Sequence, residues 1–114
     1  MEQKEEKIME HLILYGYAGM EKQKLQDLQM FTESWEDCHL VLMQDAVVGT
    51  TTGENESTAV LEKFKNNGWK IYALQEDVIA RGLPLEKIKY FIEPITYYGV
   101  IDLITDSKQL ISWL

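Results

Sequence analysis

The sequence contains few cysteines, histidines and prolines, and these shortages exclude several classes of protein. Its 114 residues include one cysteine, two histidines and two prolines. A lone cysteine, Cys38, cannot form an internal disulfide, so nothing indicates an oxidising compartment. No apolar run approaches the roughly 20 residues that cross a bilayer, and the charged residues 1–7 lack a signal-peptide core. We therefore expect a cytoplasmic protein without a membrane contact.

Basic residues are also in short supply. The chain contains eleven Lys and Arg residues and nineteen Asp and Glu residues, which gives a net charge of −8. Binding to a phosphate backbone needs surplus Lys and Arg to displace counterions, so we expect no direct nucleic-acid contact. If RNA is involved, another subunit holds it.

Apolar residues, in contrast, are plentiful and are arranged in short runs. They make up 46% of a chain whose length fits one domain, residues 1–114. Continuous runs at residues 11–17, 40–43 and 71–74 are typical of central parallel strands that are buried on both faces. Between the first two, an apolar spacing of three, three and four over Leu25, Leu28, Phe31 and Trp35 predicts an amphipathic helix, residues 20–35.

The second half of the chain continues this alternation. An apolar stripe over residues 59–64 predicts a helix that ends at Gly68, and Asp77 is placed to cap a short helix over residues 78–81. A strand over residues 92–95, a helix capped by Thr96 and a last strand over residues 109–114 follow. Five strands alternating with helices predict a three-layer α/β/α sandwich around a mostly parallel five-stranded sheet.

In an open parallel sheet, ligands gather beyond the carboxyl ends of the strands. The residues that follow the predicted strands are therefore the candidates for a ligand or partner site: Gly16, Tyr17, Gln44, Asp45, Glu76, Asp77, Thr96 and Tyr97. A structural role is open for three of them, since Asp77 and Thr96 suit helix caps and Asp45 suits a turn.

Motifs for cofactors and metals are missing. Residues 16–19 do not complete the Gly-x-Gly-x-x-Gly fingerprint, and no Gly-Lys-Ser/Thr loop occurs. The Thr-rich residues 50–53 follow the second strand, whereas a flavin phosphate loop would follow the first. Cys38 and His39 are neighbours on a strand and point to opposite faces, and His11 suits a strand entrance. We expect no cofactor and no metal.

Cys38 remains the one candidate nucleophile. It lies at the amino end of the second strand, away from the predicted site, and it follows the acidic residues Glu33, Glu36 and Asp37. Negative neighbours oppose formation of a thiolate, and a free cysteine is among the most often buried residues. We therefore expect a buried, unreactive thiol.

Three stretches carry a resemblance to a known family. They are LVLMQDAV at residues 40–47, IYALQEDVIARGL at 71–83 and ITYYGVIDLI at 95–104. Together they resemble the DsrE/DsrF/DsrH-like sulfur-relay proteins, specifically the DsrH/TusB branch, from about His11 to Leu114. Residues 1–10, a charged N-terminal extension, and the loop at residues 49–57 stand outside it.

The resemblance implies a flavodoxin-like fold and a small subunit that associates with DsrE- and DsrF-like chains. Such complexes pass persulfide sulfur between cysteines, towards 2-thiolation of the tRNA wobble uridine or in dissimilatory sulfur oxidation. Here the first helix has no cysteine, which favours a non-catalytic, accessory subunit over a sulfurtransferase that carries persulfide on Cys38. A small-ligand or flavin-binding module is a third alternative. Arg81, in the Ala-Arg-Gly segment, would bind an anion, an acid of a partner, or Glu76 or Asp77.

Aromatic residues predict self-association. Twelve aromatics in so small a domain exceed what short helices on one sheet can cover, and Tyr97, Tyr98 and Trp113 lie near the expected site and the last strand. Tyr and Trp are common interface anchors. We expect a homodimer or a place in a hetero-oligomer through this face; the alternative is that Trp113 packs inside.

Overall fold

The computed structural model describes residues 9–18, 22–51 and 57–114. Five strands form one sheet, in which every neighbouring pair is parallel: β1 (Met9–Tyr15), β2 (Cys38–Leu42), β3 (Lys70–Leu74), β4 (Ile92–Ile95) and β5 (Ser107–Trp113). The helices are α1 (Lys22–Phe31), α2 (Thr58–Asn66), α3 (Gln75–Ala80) and α4 (Tyr97–Asp106). Short 3-10 helices lie at Gln44–Val47 and Leu85–Lys87. None of the helices in these ranges is long and apolar enough to span a bilayer.

The strand order is β4-β3-β2-β1-β5. The chain moves across the sheet in one direction from β1 to β4 and then returns past β1 to form β5. Because crossovers between parallel strands are right-handed, the return crossover places α4 on the face opposite α1, α2 and α3. The chain therefore changes direction between β1 and β5, and their carboxyl ends flank the crevice where such sheets bind ligands.

Two apolar cores of unequal size follow from this topology. The larger one packs α1, α2 and α3 on the sheet and includes the fully buried Leu28 and Leu40. The smaller one lies under α4, where Val100 meets Leu12, Val41 and Leu74. Full burial of such a side chain contributes about 1.5–3 kcal/mol, so the three-helix face provides most of the stability.

The predicted fold class, a three-layer sandwich around a five-stranded parallel sheet, is confirmed. The bounds of β4 and the glycine that ends α2 are also as predicted, with Gly68 in the left-handed region at φ 93°. The sequence predicted an N-terminal extension at residues 1–10 and a loop at residues 49–57. Residues 1–8 of the extension and residues 52–56 of the loop lie outside the described ranges.

The predicted length of the first helix was wrong. It spans Lys22–Phe31 and ends before Trp35. After Thr32 the chain leaves the helix in tight turns, in which the Glu33 N–H donates to the Met30 carbonyl oxygen at 3.3 Å and the Trp35 N–H donates to the Thr32 carbonyl oxygen at 2.9 Å. Trp35 instead stacks on His11, with ring centroids 4.1 Å apart, so its apolar spacing reflected packing on β1 rather than another helical turn.

Candidate functional site

Four of the predicted site residues meet where β2 and β3 end. Gln44 and Asp45 begin the 3-10 helix after β2, and Asp77 and Arg81 lie in and directly after α3. We call these four residues the carboxyl-end cluster. They come together because neighbouring parallel strands end at the same edge of the sheet.

Gln44 is held in an unusual backbone conformation. Its φ of 54° lies in the left-handed region, which residues other than glycine rarely adopt. Its N–H donates to Asp77 Oδ2 at 2.6 Å. A charge-assisted bond of this kind offsets the conformational cost and fixes the turn that leaves β2.

This bond corrects the predicted role of Asp77. The helix begins at Gln75, with Leu74 at the N-cap position, so Asp77 lies in its first turn and does not cap it. A carboxylate there still favours the helix N-terminus electrostatically. The sequence could not predict its hydrogen bond, because the donor is 33 residues away.

Arg81 joins the cluster as an ion-pair partner. Its Nη2 lies 2.9 Å from Asp45 Oδ1 and its Nη1 lies 3.9 Å from Asp77 Oδ1. The sequence predicted Glu76 or Asp77 as an acid partner of Arg81. Arg81 pairs with Asp77, whereas the Glu76 carboxylate binds another part of the chain. The Asp45 side chain is 70% exposed and that of Arg81 is 31% exposed, so both present charge to solvent at the carboxyl ends of β2 and β3.

Glu76 instead serves the N-terminus of α4. Its Oε1 and Oε2 accept the Tyr97 N–H at 3.1 and 3.2 Å. The Thr96 hydroxyl accepts the Gly99 N–H at 3.1 Å, which confirms the predicted cap. The chain's own carboxylate thus occupies the position where a bound anion would be stabilised.

Gly16 allows two chain segments to approach each other at the end of β1. An added Cβ would lie 2.7 Å from Gln44 Oε1 and 2.9 Å from Leu114 Cδ2. The Gly16 N–H also donates to the Trp113 carbonyl oxygen at 3.0 Å. Gln44, which follows β2, and Leu114, which follows β5, therefore both lie against the end of β1, and Leu114 had no sequence signal for this position.

Tyr17 stands apart from the cluster. Its ring lies under the Lys24 ammonium, 4.6 Å from the ring centroid, and beside Tyr15 at 5.7 Å. It lines a cavity of about 10 Å³ together with Thr50 and Leu61. That volume is about one water molecule, which is far too small for a flavin or a nucleotide.

The amino end of the sheet holds Cys38, the first residue of β2. The residue is 1% exposed, and its Sγ lies 3.8 Å from the Glu36 carbonyl oxygen. Burial, and secondarily the charge of Asp37, raise the pKa of Cys38 to about 12. The structure therefore places the lone thiol in the core and at the end of β2 opposite the carboxyl-end cluster, roughly 20 Å away along the strand.

A polar pair that the sequence did not reveal lies on the other face of the same end. His39 Nδ1 is 2.9 Å from the Tyr72 hydroxyl, and His39 Nε2 is 3.7 Å from Asp37 Oδ1. Burial lowers the pKa of His39, against the opposing effect of Asp37, and burial raises the pKa of Tyr72. The pair borders an open cleft of about 340 Å³ beside Lys70 and Asp106.

His11 makes only structural contacts, with Gln109 through Nδ1 at 2.7 Å and with Trp35 by stacking. Across residues 9–18, 22–51 and 57–114, no three His, Cys, Asp or Glu side chains lie together in a way that could hold a metal ion.

Comparison with known proteins gives matches in both sequence and structure. Residues 19–110 match the family described as DsrH like protein. Protein TusB of Shigella dysenteriae serotype 1 is 36% identical over 78 residues, which cover 68% of this chain and 77% of that protein. Protein TusB of Escherichia coli O1:K1 gives the same identity and coverage.

Two solved structures share the fold. The ychN protein from E. coli superposes with a TM-score of 0.78 at 16% identity, covering 92% of this chain and 99% of its own. The protein of unknown function MTH1491 from Methanobacterium thermoautotrophicum gives a TM-score of 0.62 at 8% identity, covering 88% and 98%. Identities this low establish a common fold and nothing more.

Proposed function

Because the chain belongs to the DsrH/TusB branch of the DsrE/DsrF/DsrH-like sulfur-relay family, we propose that it is a non-catalytic subunit of a cytoplasmic persulfide relay. The two relatives reported above are both named TusB. Of the two pathways that the family resemblance implies, we therefore choose 2-thiolation of the tRNA wobble uridine over sulfur oxidation.

The burial of Cys38 carries the non-catalytic assignment. In persulfide transfer an acceptor thiolate attacks the outer sulfur of a donor persulfide, the donor S–S bond breaks and the donor leaves as a thiolate. A thiol with a pKa of about 12 holds about one part in 10⁵ thiolate at pH 7. At 1% exposure it also has no access to a donor. The sulfur-carrying cysteines belong to partner chains.

The role left for this chain is to bind and position those partners. The carboxyl-end cluster supports this role, because it is polar, charged and exposed at the edge where open parallel sheets bind their ligands. We assign it the contact with a DsrE- or DsrF-like chain, in which Arg81 and Asp45 exchange their mutual ion pair for charges of the partner. With a net charge of −8, the chain contacts proteins and leaves the tRNA to other subunits.

A reconstituted relay tests this proposal. The chain is mixed with DsrE- and DsrF-like partners, a cysteine desulfurase and ³⁵S-cysteine, and label is followed on each protein and in tRNA. We expect label on the partner cysteines, none on this chain, and an unchanged transfer rate with Cys38→Ala. Label on this chain that Cys38→Ala abolishes would make it a sulfurtransferase.

Co-purification with the same partner chains tests the carboxyl-end cluster. Arg81→Glu should weaken co-purification with the partners at least tenfold, whereas Lys87→Glu, an equal change of charge at an exposed residue outside the cluster, should leave it intact. Circular dichroism verifies that both variants are folded. Equal binding by the two variants would remove the cluster from the interface.

A further inference from the structure

The face of the sheet under α4 is polar at its amino end. Tyr72 packs on the α4 core, and by the alternation of side chains along a strand Lys70 lies on the same face, where it pairs in register with His39. The opposite face of the same end is formed by the buried Cys38 and Ile71. Tyr72 is 8% exposed and the His39 side chain 12%, so these polar groups are more than a solvated surface.

These three residues line the open cleft beside the last turn of α4. The cleft has a volume of about 340 Å³, and sites for small molecules typically enclose about 300–1,000 Å³. Met9 and Leu103 provide apolar walls, and Asp37 and Asp106 provide carboxylates. A few polar groups on an apolar wall are the usual composition of a small-molecule site, and neither the fold nor the relay uses this one.

The pair of His39 and Tyr72 offers a hydrogen-bond acceptor to the cleft. Asp37 Oδ2 accepts the Glu10 N–H at 3.0 Å, and Asp37 Oδ1 lies 3.7 Å from His39 Nε2, so the carboxylate is held beside the ring. A carboxylate at Nε2 favours the tautomer that has its proton there. Nδ1 then accepts the Tyr72 O–H at 2.9 Å, and the lone pairs of the Tyr72 oxygen remain for the N–H of a ligand.

The charges around the cleft have both signs and identify the ligand that fits. Burial lowers the pKa of His39, so its ring adds no charge at pH 7. Among the described residues, neither Lys70 nor Asp106 forms an ion pair. Asp106 is the last residue of α4, whose terminal carbonyl oxygens add partial negative charge.

A ligand with a single charge would be repelled by part of this lining. Lys70 disfavours a plain cation, and the two aspartates with the end of α4 disfavour a plain anion. Glu93, in register with Tyr72, adds to the negative charge on this face. A ligand that carries both an ammonium and a carboxylate matches the two signs.

We propose that this cleft binds a free α-amino acid that has an apolar side chain. The ligand's ammonium donates to the Asp106 carboxylate and the Tyr72 oxygen, and its carboxylate accepts from the Lys70 ammonium. Its side chain packs on Met9 and Leu103. The cleft lies at the end of the sheet opposite the carboxyl-end cluster, so this binding goes beyond the accessory function and does not depend on it.

Titration of the purified full chain with L-leucine and two analogues tests the site. Isoamylamine is leucine without its carboxylate, and isocaproate is leucine without its ammonium. Amide chemical shifts measured by NMR at pH 7 report the binding. We expect leucine to shift the signals at the amino ends of β2 and β3 saturably, and to bind at least tenfold more tightly than either analogue. No saturable shift at millimolar leucine, or an analogue that binds as tightly, would overturn the proposal.

Substitution of the two charged residues separates their roles. Lys70→Met should weaken leucine binding at least tenfold without weakening that of isoamylamine, because only the partner of the carboxylate is lost. Asp106→Asn, a change of equal size at an exposed residue, should weaken leucine and isoamylamine but not isocaproate. Lys87→Met, at an exposed lysine outside the cleft, should bind leucine as the wild type does.

Circular dichroism verifies that the variants are folded. Unchanged leucine affinity in either folded Lys70→Met or folded Asp106→Asn would overturn the proposal. A chain that supports the relay but does not bind leucine would overturn it too, while leaving the accessory function standing. Label on Cys38 in the relay assay would overturn that function and leave the amino-acid site untouched.

Discussion

The two ends of the sheet differ in the chemistry they allow. At the carboxyl end, Asp45 and Arg81 form an ion pair in contact with solvent, and Gln44 holds a left-handed turn. At the amino end, Cys38 is enclosed in the core and its pKa is raised to about 12. A polar group at one end is available to a partner, whereas the only thiol is unavailable at the other.

The topology explains the contrast. In a βα unit, the carboxyl end of a strand leads to a helix N-terminus, whose free N–H groups favour anions, and the amino end of the next strand follows a helix C-terminus, whose carbonyls disfavour them. Cys38 is therefore at the wrong end for an activated thiolate, and its pKa is raised first by burial and second by the charge of Asp37. The position of a cysteine in the fold matters more for its reactivity than its presence in the sequence.

The largest expected effect is on the alkylation of Cys38. At pH 8 a thiol of pKa about 12 is about a thousandfold less ionised than one at the ordinary value of 9.0. We expect iodoacetamide to modify the folded chain at least a thousandfold more slowly than the urea-unfolded chain, as followed by mass spectrometry. Alkylation rates of the folded and unfolded chains within tenfold of each other would show that the fold does not protect Cys38, and the contrast between the two ends of the sheet would be wrong.

An intermediate effect is expected on stability at high pH. The pKa of Cys38 is higher in the folded chain than in the unfolded chain, so between pH 9 and pH 12 the folded chain retains a proton that the unfolded chain has lost. Stability is therefore unaffected by this group below pH 9 and falls by up to about 1.4 kcal/mol per pH unit above it.

Urea unfolding of the wild type and Cys38→Ala isolates this contribution. The pKa of Tyr72 is also raised, so ionisation of Tyr72 destabilises both proteins in the same direction and cancels in their difference. We expect the advantage of the wild type to shrink as the pH rises from 9. Parallel curves for the two proteins would show that Cys38 titrates normally.

The smallest effect is expected at the carboxyl end. Asp77→Ala removes the acceptor of the Gln44 N–H and should lower the free energy of unfolding by about 1–2 kcal/mol. Asp45→Ala removes only an exposed ion pair and should change it by less than about 0.5 kcal/mol. Chemical denaturation compares the two variants, and equal losses would mean that the turn at Gln44 does not depend on Asp77.

Sequence patterns predicted the elements well where burial was periodic or continuous. The runs that became β1, β2 and β3 are apolar on both faces, as central strands require, and Thr96 has both the residue type and the position of a helix cap. The patterns gave a wrong prediction where a side chain packs against an element that is distant in the sequence, as Trp35 does against His11. Local spacing contains no information about such contacts.

The candidate site divides in the same way. The carboxyl ends of the strands could be located from the sequence, because any parallel sheet gathers them at one edge. The partner of each polar group could not, since Glu76 reaches Tyr97 across 21 residues and Arg81 reaches Asp45 across 36. Those pairings depend on which strands become neighbours.

The sequence by itself determined the parallel α/β fold, the family and the acidic surface, because these follow from composition, hydrophobic periodicity and local motifs. Only the tertiary structure decided that Cys38 is buried in the core and that Glu76 binds the N-terminus of α4. The reason is physical: burial, the pKa of a thiol and the partner of a carboxylate are properties of neighbours in space, and the order of the strands in the sheet sets those neighbours.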